Sequence, residues 1–249
     1  MKRIATFFML AGFLLACAQV PGHAQEKTIK KKPEKHAKAL ASASTASLFV
    51  EEKGRFKVLA DGQPVAAEEF QISGNGGEWH ARGNSEVPAA AGSTSKVNGK
   101  LDLTGDGRVL RYEWSATSPK KASAVIEFSG STAKMELRMD SAAPFNQDFT
   151  FESPRVVILD NNLYHHYAIL ARLYDWKAKG PQSFSVFIPQ DTTPGIVLVE
   201  YAGPKVVEGV QLEMLRVRSA DNELELYCDS SMRLLRISVP SSKVEIIRE

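Results

Sequence analysis

Between residues 56 and 239 apolar side chains recur at every second position, the pattern of strands with one dry face and one wet face. Phe56, Val58 and Ala60 share a face, and Leu110, Tyr112 and Trp114 stand opposite Arg111 and Glu113. Ala124, Ile126 and Phe128 follow, then Met135, Leu137 and Met139 against Lys134, Glu136 and Arg138. Phe184, Val186 and Ile188, and later Leu235, Ile237 and Val239, repeat the rhythm. Turn residues separate the runs: Asp61-Gly62, the stretch 74–77, the stretch 104–107, Ser129-Gly130 and Asp221-Asn222. Strands joined by such short turns pair antiparallel. In the segment 210–217 the apolar phase slips between Met214 and Leu215, which predicts a bulge and a sharp bend there.

One segment departs from this period. After Asp160, Asn161 and Asn162, which offer an N-cap, residues 163–176 read LYHHYAILARLYDW with helical spacing. Leu163, Tyr167, Leu170 and Tyr174 line one stripe of a helix of about four turns. His166 sits on the flank of that stripe, while His165 points away beside Arg172. A single amphipathic helix has to hide its stripe against the dry face of the sheet. The fold class expected is therefore mainly β: a long curved antiparallel sheet, a half-open or closed barrel, with this helix on the concave side. Residues 47–249 have the length of one domain, and no Pro/Gly/Ser-rich break divides them.

The beginning of the sequence reads as an address. Lys2 and Arg3 precede an apolar run from Ile4 to Leu15, too short to span a bilayer as a helix, and small residues follow. Two processing routes fit. Cleavage after Ala24 leaves a soluble chain starting at Gln25, so that residues 1–24 are a signal peptide. Alternatively, the stretch ending Leu15-Ala16-Cys17 resembles a lipobox, and Cys17 carries a lipid. Either route places the protein outside the cytoplasm, in the periplasm or at the outer membrane. Residues 25–46 hold six lysines and an Ala/Ser tail without apolar periodicity, the composition of a disordered tether.

That tether decides how the charge is read. Residues 1–46 carry 8 of the 31 Lys+Arg and 2 of the 29 Asp+Glu, so 23 basic and 27 acidic groups remain, a net of about −4. The basic balance of the whole chain belongs to its first segment. Nucleic-acid binding needs a basic face on the fold itself, so it is not expected. Membrane association is expected only through a lipidated Cys17 or the basic tether. Cys228 alternates with Leu224 and Leu226 and reads as a small buried apolar thiol.

Two constellations suggest chemistry. The stretch from Asp102 to Glu113 nearly spells a calcium loop, with oxygen donors at Asp102, Thr104 and Asp106 and a glycine at 107. If residues 108–115 form a strand, however, Glu113 lies about 20 Å along it and cannot fold back onto the loop. Adjacent His165 and His166 point about 100° apart on a helix, whereas metal pairs sit three or four residues apart. His166 therefore reads as a helix histidine donating to a backbone carbonyl, and no metal or other cofactor is expected. No nucleophile elbow, phosphate loop or metal-spaced Cys/His cluster occurs.

The stretches 54–58 (GRFKV), 157–167 (VILDNNLYHHY), 225–229 (ELYCD) and 233–237 (RLLRI) together resemble a family of exported bacterial β-rich envelope proteins of unassigned function. More distantly the architecture is similar to the half-barrels of lipoprotein carriers, an analogy of fold. Three functional readings follow. In the first, a half-barrel holds a lipid or other apolar envelope molecule, with His166, Leu170, Trp114, Phe128 and Met135 as ligand-binding residues. In the second, the chain is an accessory or structural protein that presents its sheet to envelope partners. In the third, it is a hydrolase using His166.

Overall fold

The computed structural model describes residues 47–249 apart from residues 76, 89–93, 119–120 and 141. The signal, lipobox and tether expectations, Cys17 included, fall outside the described residues. Eight strands run up and down in chain order: β1 (Glu52–Ala60), β2 (Gln63–Asn75), β3 (Glu78–Pro88), β4 (Thr94–Thr104), β5 (Val109–Ala116), β6 (Ala122–Ser129), β7 (Thr132–Met139) and β8 (Phe145–Thr150). The short β9 (Val156–Ile158) and the helix α1 (His165–Leu173) follow. A second meander completes the chain: β10 (Gln182–Ile188), β11 (Thr193–Val207), β12 (Val210–Arg218), β13 (Glu223–Cys228), β14 (Leu234–Val239) and β15 (Val244–Arg248). Pairing of β1 with β15 joins the two meanders into one 15-stranded sheet whose edges are β8 and β9. All pairs are antiparallel except β9 with β10.

The sheet is not closed by hydrogen bonds, because β8 and β9 do not pair. Its two ends meet through aromatic rings instead. Phe149 on β8 lies 4.6 Å from Phe187 on β10, centroid to centroid, and Phe151 lies 5.8 Å from Phe187 and 6.1 Å from Phe128. The tilted and edge contacts to Phe187 suit the ring quadrupoles, and Phe149, Phe151 and Phe187 are all buried.

Inside the curve runs α1, and glycines on the wall make room for it. One row of inner-face positions crosses eight strands in register: Gly54, Phe70, Gly83, Gly99, Trp114, Ala124, Leu137 and Phe145. A Cβ on Gly83 would lie 2.5 Å from His165 Cε1, and one on Gly99 would lie 2.5 Å from Leu163 Cδ1. At the far end of the helix, a Cβ on Gly107 would meet Leu173 at 2.2 Å. Removing the side chains along this track lets a helix backbone approach a sheet closely.

Three local expectations need correction. First, α1 is nine residues long, about two and a half turns rather than four, and it is not amphipathic. His165, His166, Ala168, Ile169, Leu170, Ala171 and Leu173 are all buried, as befits a helix enclosed by its sheet rather than laid upon it. Second, β12 has no bulge at Met214 and Leu215: its pairing with β13 runs unbroken through both, and they lie on opposite faces that are both buried. The register shift is on the neighbouring β11 at Ala202, where Tyr201 pairs Leu215 and Gly203 pairs Met214. Leu215 and Val217 join the interior core, and Leu212 and Met214 are buried apart from it. Third, a bulge at Leu235 turns Leu234, not Leu235, into the core beside Ile237. Cys228 is buried as expected, and burial pushes its thiol up to about 12, far from the range of a reactive thiolate.

Candidate functional site

The polar groups that stand out are sealed inside, where α1 begins. β2 alternates so that Glu68 faces inward with Phe70 and Ile72, and all three are buried. A wholly buried carboxylate is costly unless hydrogen bonds satisfy it. Glu68 is satisfied by the helix. Its Oε2 accepts the backbone N–H groups of Tyr164 at 2.7 Å and His165 at 3.1 Å, and its Oε1 accepts from His165 Nδ1 at 2.5 Å. A strand residue thus caps the first turn, where free N–H groups and the helix dipole favour a negative charge. The expected cap from residues 160–162 does not form: Asn162 has φ +68° and α1 has no side-chain cap of its own. Nor does His165 point away beside Arg172; it lies fully buried against Glu68.

The second half of the cluster centres on Asp160. Its carboxyl accepts the Tyr112 hydroxyl and the Gln190 side-chain N–H, and its backbone N–H donates to His166 Nδ1 at 3.2 Å. His166 therefore accepts at Nδ1 and carries its proton on Nε2, the reverse of the expected donation to a carbonyl. Burial first, and then its neighbour His165, hold the His166 imidazole well below its ordinary range, so it is neutral. Burial raises the Asp160 carboxyl to about 8, against the opposing hydrogen bonds from Tyr112 and Gln190. Burial also drives the Tyr112 hydroxyl well above its usual range, with Asp160 adding to the rise.

Rings connect the two halves. Arg248 lies over Phe70 at 4.9 Å, Phe70 stacks on His165 at 6.0 Å, His165 meets His166 at 4.3 Å, and His166 meets Tyr112 edge-on at 5.4 Å. Arg248 is held in turn by Glu52 at 2.8 Å and the Lys53 carbonyl at 3.0 Å. The column runs from β15 and β2 through the helix to β5, so it ties the helix between two stretches of the same sheet. Both Nε2 atoms of the histidine pair are buried without a hydrogen-bond partner. Sealed from solvent, with one nitrogen engaged and the other protonated, His166 has no lone pair to offer a substrate.

The other residues singled out from the sequence lie along the wall rather than around one space. Leu170 is in the central core with no exposed surface. Trp114, half-buried, packs with Val97, Ala116 and Leu163 near the start of the helix. Met135 is one rung further in, in register with Ile126, and Phe128 belongs to the aromatic seam. The near-calcium loop is a hairpin. Glu113 sits opposite Lys100 and pairs with Arg111 at 3.1 Å, while Asp102 accepts from His80 at 2.7 Å. Among the described residues no group of three or more His, Cys, Asp or Glu could hold a metal ion. Glu68 escaped the sequence reading, although an acid at an inward position of an alternating strand was the signal for it.

The sequence matches no family model and no curated protein. Among solved structures, a DUF1089 family protein from Pseudomonas aeruginosa superposes with a TM-score of 0.43 at 8% identity, over 70% of this chain and 90% of that one. The crystal structure of a β-barrel-like protein of domain of unknown function DUF1849 from Brucella abortus superposes with a TM-score of 0.52, over 80% of this chain and 95% of that one. At 7% identity, what this chain shares with the Brucella abortus protein is its fold, that of a β-barrel-like domain.

Proposed function

We propose that this chain is a non-enzymatic accessory protein of the bacterial cell envelope that works through contacts with other envelope proteins. The observation that carries the reading is the filled interior. A half-barrel carrier holds its ligand against the concave face, and here that face is covered by α1, with Leu170 and His166 wholly buried. The lipid-binding reading loses its space, and the hydrolase reading loses its base. What remains accessible is the outer face and the sheet edge, the parts that engage other proteins. The envelope address is supported by Lys2, Arg3 and the short apolar run that follows.

Native mass spectrometry of the full protein released gently from membranes of its host tests this. The expected species starts at Gln25 or at a lipidated Cys17, carries no non-covalent lipid, and retains a protein partner. A stoichiometric lipid that survives desolvation and is lost on Leu170→Trp would overturn the reading in favour of a carrier.

A further inference from the structure

Resting on the accessory reading, we propose that β8 is the docking edge, and that its occupant is an extended segment of an envelope protein, alternating apolar and basic residues, added as a further strand. The two edges of the sheet differ in kind. β9 is three residues long and entirely buried. β8 is six residues long and pairs with β7 on one side only; its Phe149 end is taken up by the aromatic seam, and the stretch left for a partner is Phe145–Asp148, where Phe145, Asn146 and Asp148 are exposed. Beyond the β7 ladder, the described residues place no backbone hydrogen bond on Phe145–Thr150. Edges that must stay single are blunted by charged side chains, lysine above all, by proline or by a bulge; β8 has no lysine, proline or bulge, and its one charge is Asp148.

Side chains on both faces state what the added strand must look like. On the outer face one row alternates in charge across five strands, Asp102, Arg111, Glu127, Lys134 and Asp148, with His80 of β3 at its head. Two of its rungs are direct pairs, His80 with Asp102 at 2.7 Å and Arg111 with Glu127 at 2.6 Å. The row ends on the acid of the edge strand, so a lysine or arginine on an incoming strand continues it, as cross-strand pairing favours. A shallow depression of about 420 Å³ lies along this end of the outer face, lined by Arg111, Glu127, Lys134, Glu136, Asn146 and Asp148. On the inner face Phe145 and Met139 stand at the rim, 48% and 47% exposed, and offer an apolar anchor beside the same edge. Main-chain bonds supply the affinity of such an addition, and the alternating side chains supply its selectivity.

Photo-crosslinking from the full protein in its host tests the edge and the broader reading separately. A benzophenone side chain replaces Asn146 on β8 or Glu69 on the outer face of β2. The expected result is a crosslink from position 146 to another envelope protein, at a segment that alternates apolar and basic residues. Crosslinks from position 69 with none from 146 overturn the edge and leave the accessory reading standing. Crosslinks from neither overturn both. A product joining 146 to residues 26–46 of the same chain, or to β8 of a second copy, overturns the proposed occupant. In vitro, an eight-residue Val/Lys peptide added to the full protein should slow hydrogen exchange of the β8 amides about tenfold, whereas a Val/Glu peptide should not. Asp148→Lys, with an unchanged thermal midpoint as its folding control, should reverse that preference. Equal protection by both peptides in wild type and variant overturns the charge rule.

Discussion

Glu68 caps a helix that begins 97 residues further along the chain, accepting the backbone N–H of His165 at 3.1 Å and its ring N–H at 2.5 Å. The contact ties the central helix to one wall at the point where both are most buried. Removing the carboxylate leaves helix N–H groups and an imidazole without partners in a dry interior. Glu68→Ala should therefore cost about 3–5 kcal/mol. In a domain of this size that is a fall of about 6–20 °C in the thermal midpoint. Glu68→Gln keeps an acceptor for the backbone and should cost less. Calorimetry on the two variants checks the order, and an alanine variant as stable as wild type would show that the cap does not hold the helix.

The glycine track makes a separate prediction. Gly83→Ala drives a methyl group into His165 and Glu68, and Gly99→Ala drives one into Leu163 and the Tyr112 hydroxyl. Each should destabilise by about 1–3 kcal/mol, as overpacking does. Gly62→Ala serves as the contrast: it meets nothing within 4 Å and pays only for its φ of +78°. Chemical denaturation of the three variants should separate wall contact from turn strain, and equal losses would contradict the close approach of α1.

Stability should fall as pH rises from 6.5 to 8. The folded pKa of Asp160 is raised to about 8 from an ordinary 3.8, so its contribution is fully present below about 4 and is lost as pH rises through 8. His166 acts in the opposite sense: its folded pKa is depressed, and stability is lost as pH falls below its ordinary 6.5. Below 6.5 the two slopes oppose one another, and above it Asp160 acts alone, worth about 1–2 kcal/mol over the interval. Asp160→Asn keeps a neutral side chain that can bond both Tyr112 and Gln190, so it should flatten this limb. Urea titrations at half-unit pH steps test it; a decline that persists unchanged in the variant would assign the limb to another group.

Calcium should not bind specifically at the loop of residues 102–113. His80 already holds Asp102, and Arg111 and Lys100 hold Glu113 away on a strand. Isothermal titration should show no saturable heat, and submillimolar binding abolished by Glu113→Gln would require the hairpin to open.

Strands were legible because burial on one face imposes a period that any stretch of eight residues displays. Phe56, Tyr112, Ile126 and Met135 are inside as the alternation requires. The helix was legible in place but not in setting. Its stripe of Leu163, Leu170 and Tyr174 is buried, but so are His165, Ala168, Ile169 and Ala171, because the sheet surrounds it. Closure of a sheet is a property of distant pairings, and no local window carries it. The bulge was misplaced for a related reason. Burial of both faces of β12 around Met214 and Leu215 mimics a phase slip, while the extra residue sits on β11 at Ala202, twelve positions before Met214. Asp160 reads locally as a cap, yet it bonds Tyr112 and Gln190, and the cap comes from Glu68 on β2.

The order of strands has one more consequence. β1 and β15 lie side by side in the middle of the sheet, with Phe56 opposite Arg248, while β8 and β9, successive in the chain, form its two margins. Each meander assembles from neighbours, but the join between them must close a loop of nearly the whole domain, at an entropic cost that grows only slowly with length. Cut between residues 151 and 155 and linked from Glu249 to the start of β1, the same strands would read in sequence from one margin to the other. In that permuted chain β15 and β1 become a local hairpin, folding no longer waits on the longest loop, and α1 is carried on the leading segment instead of bridging two halves.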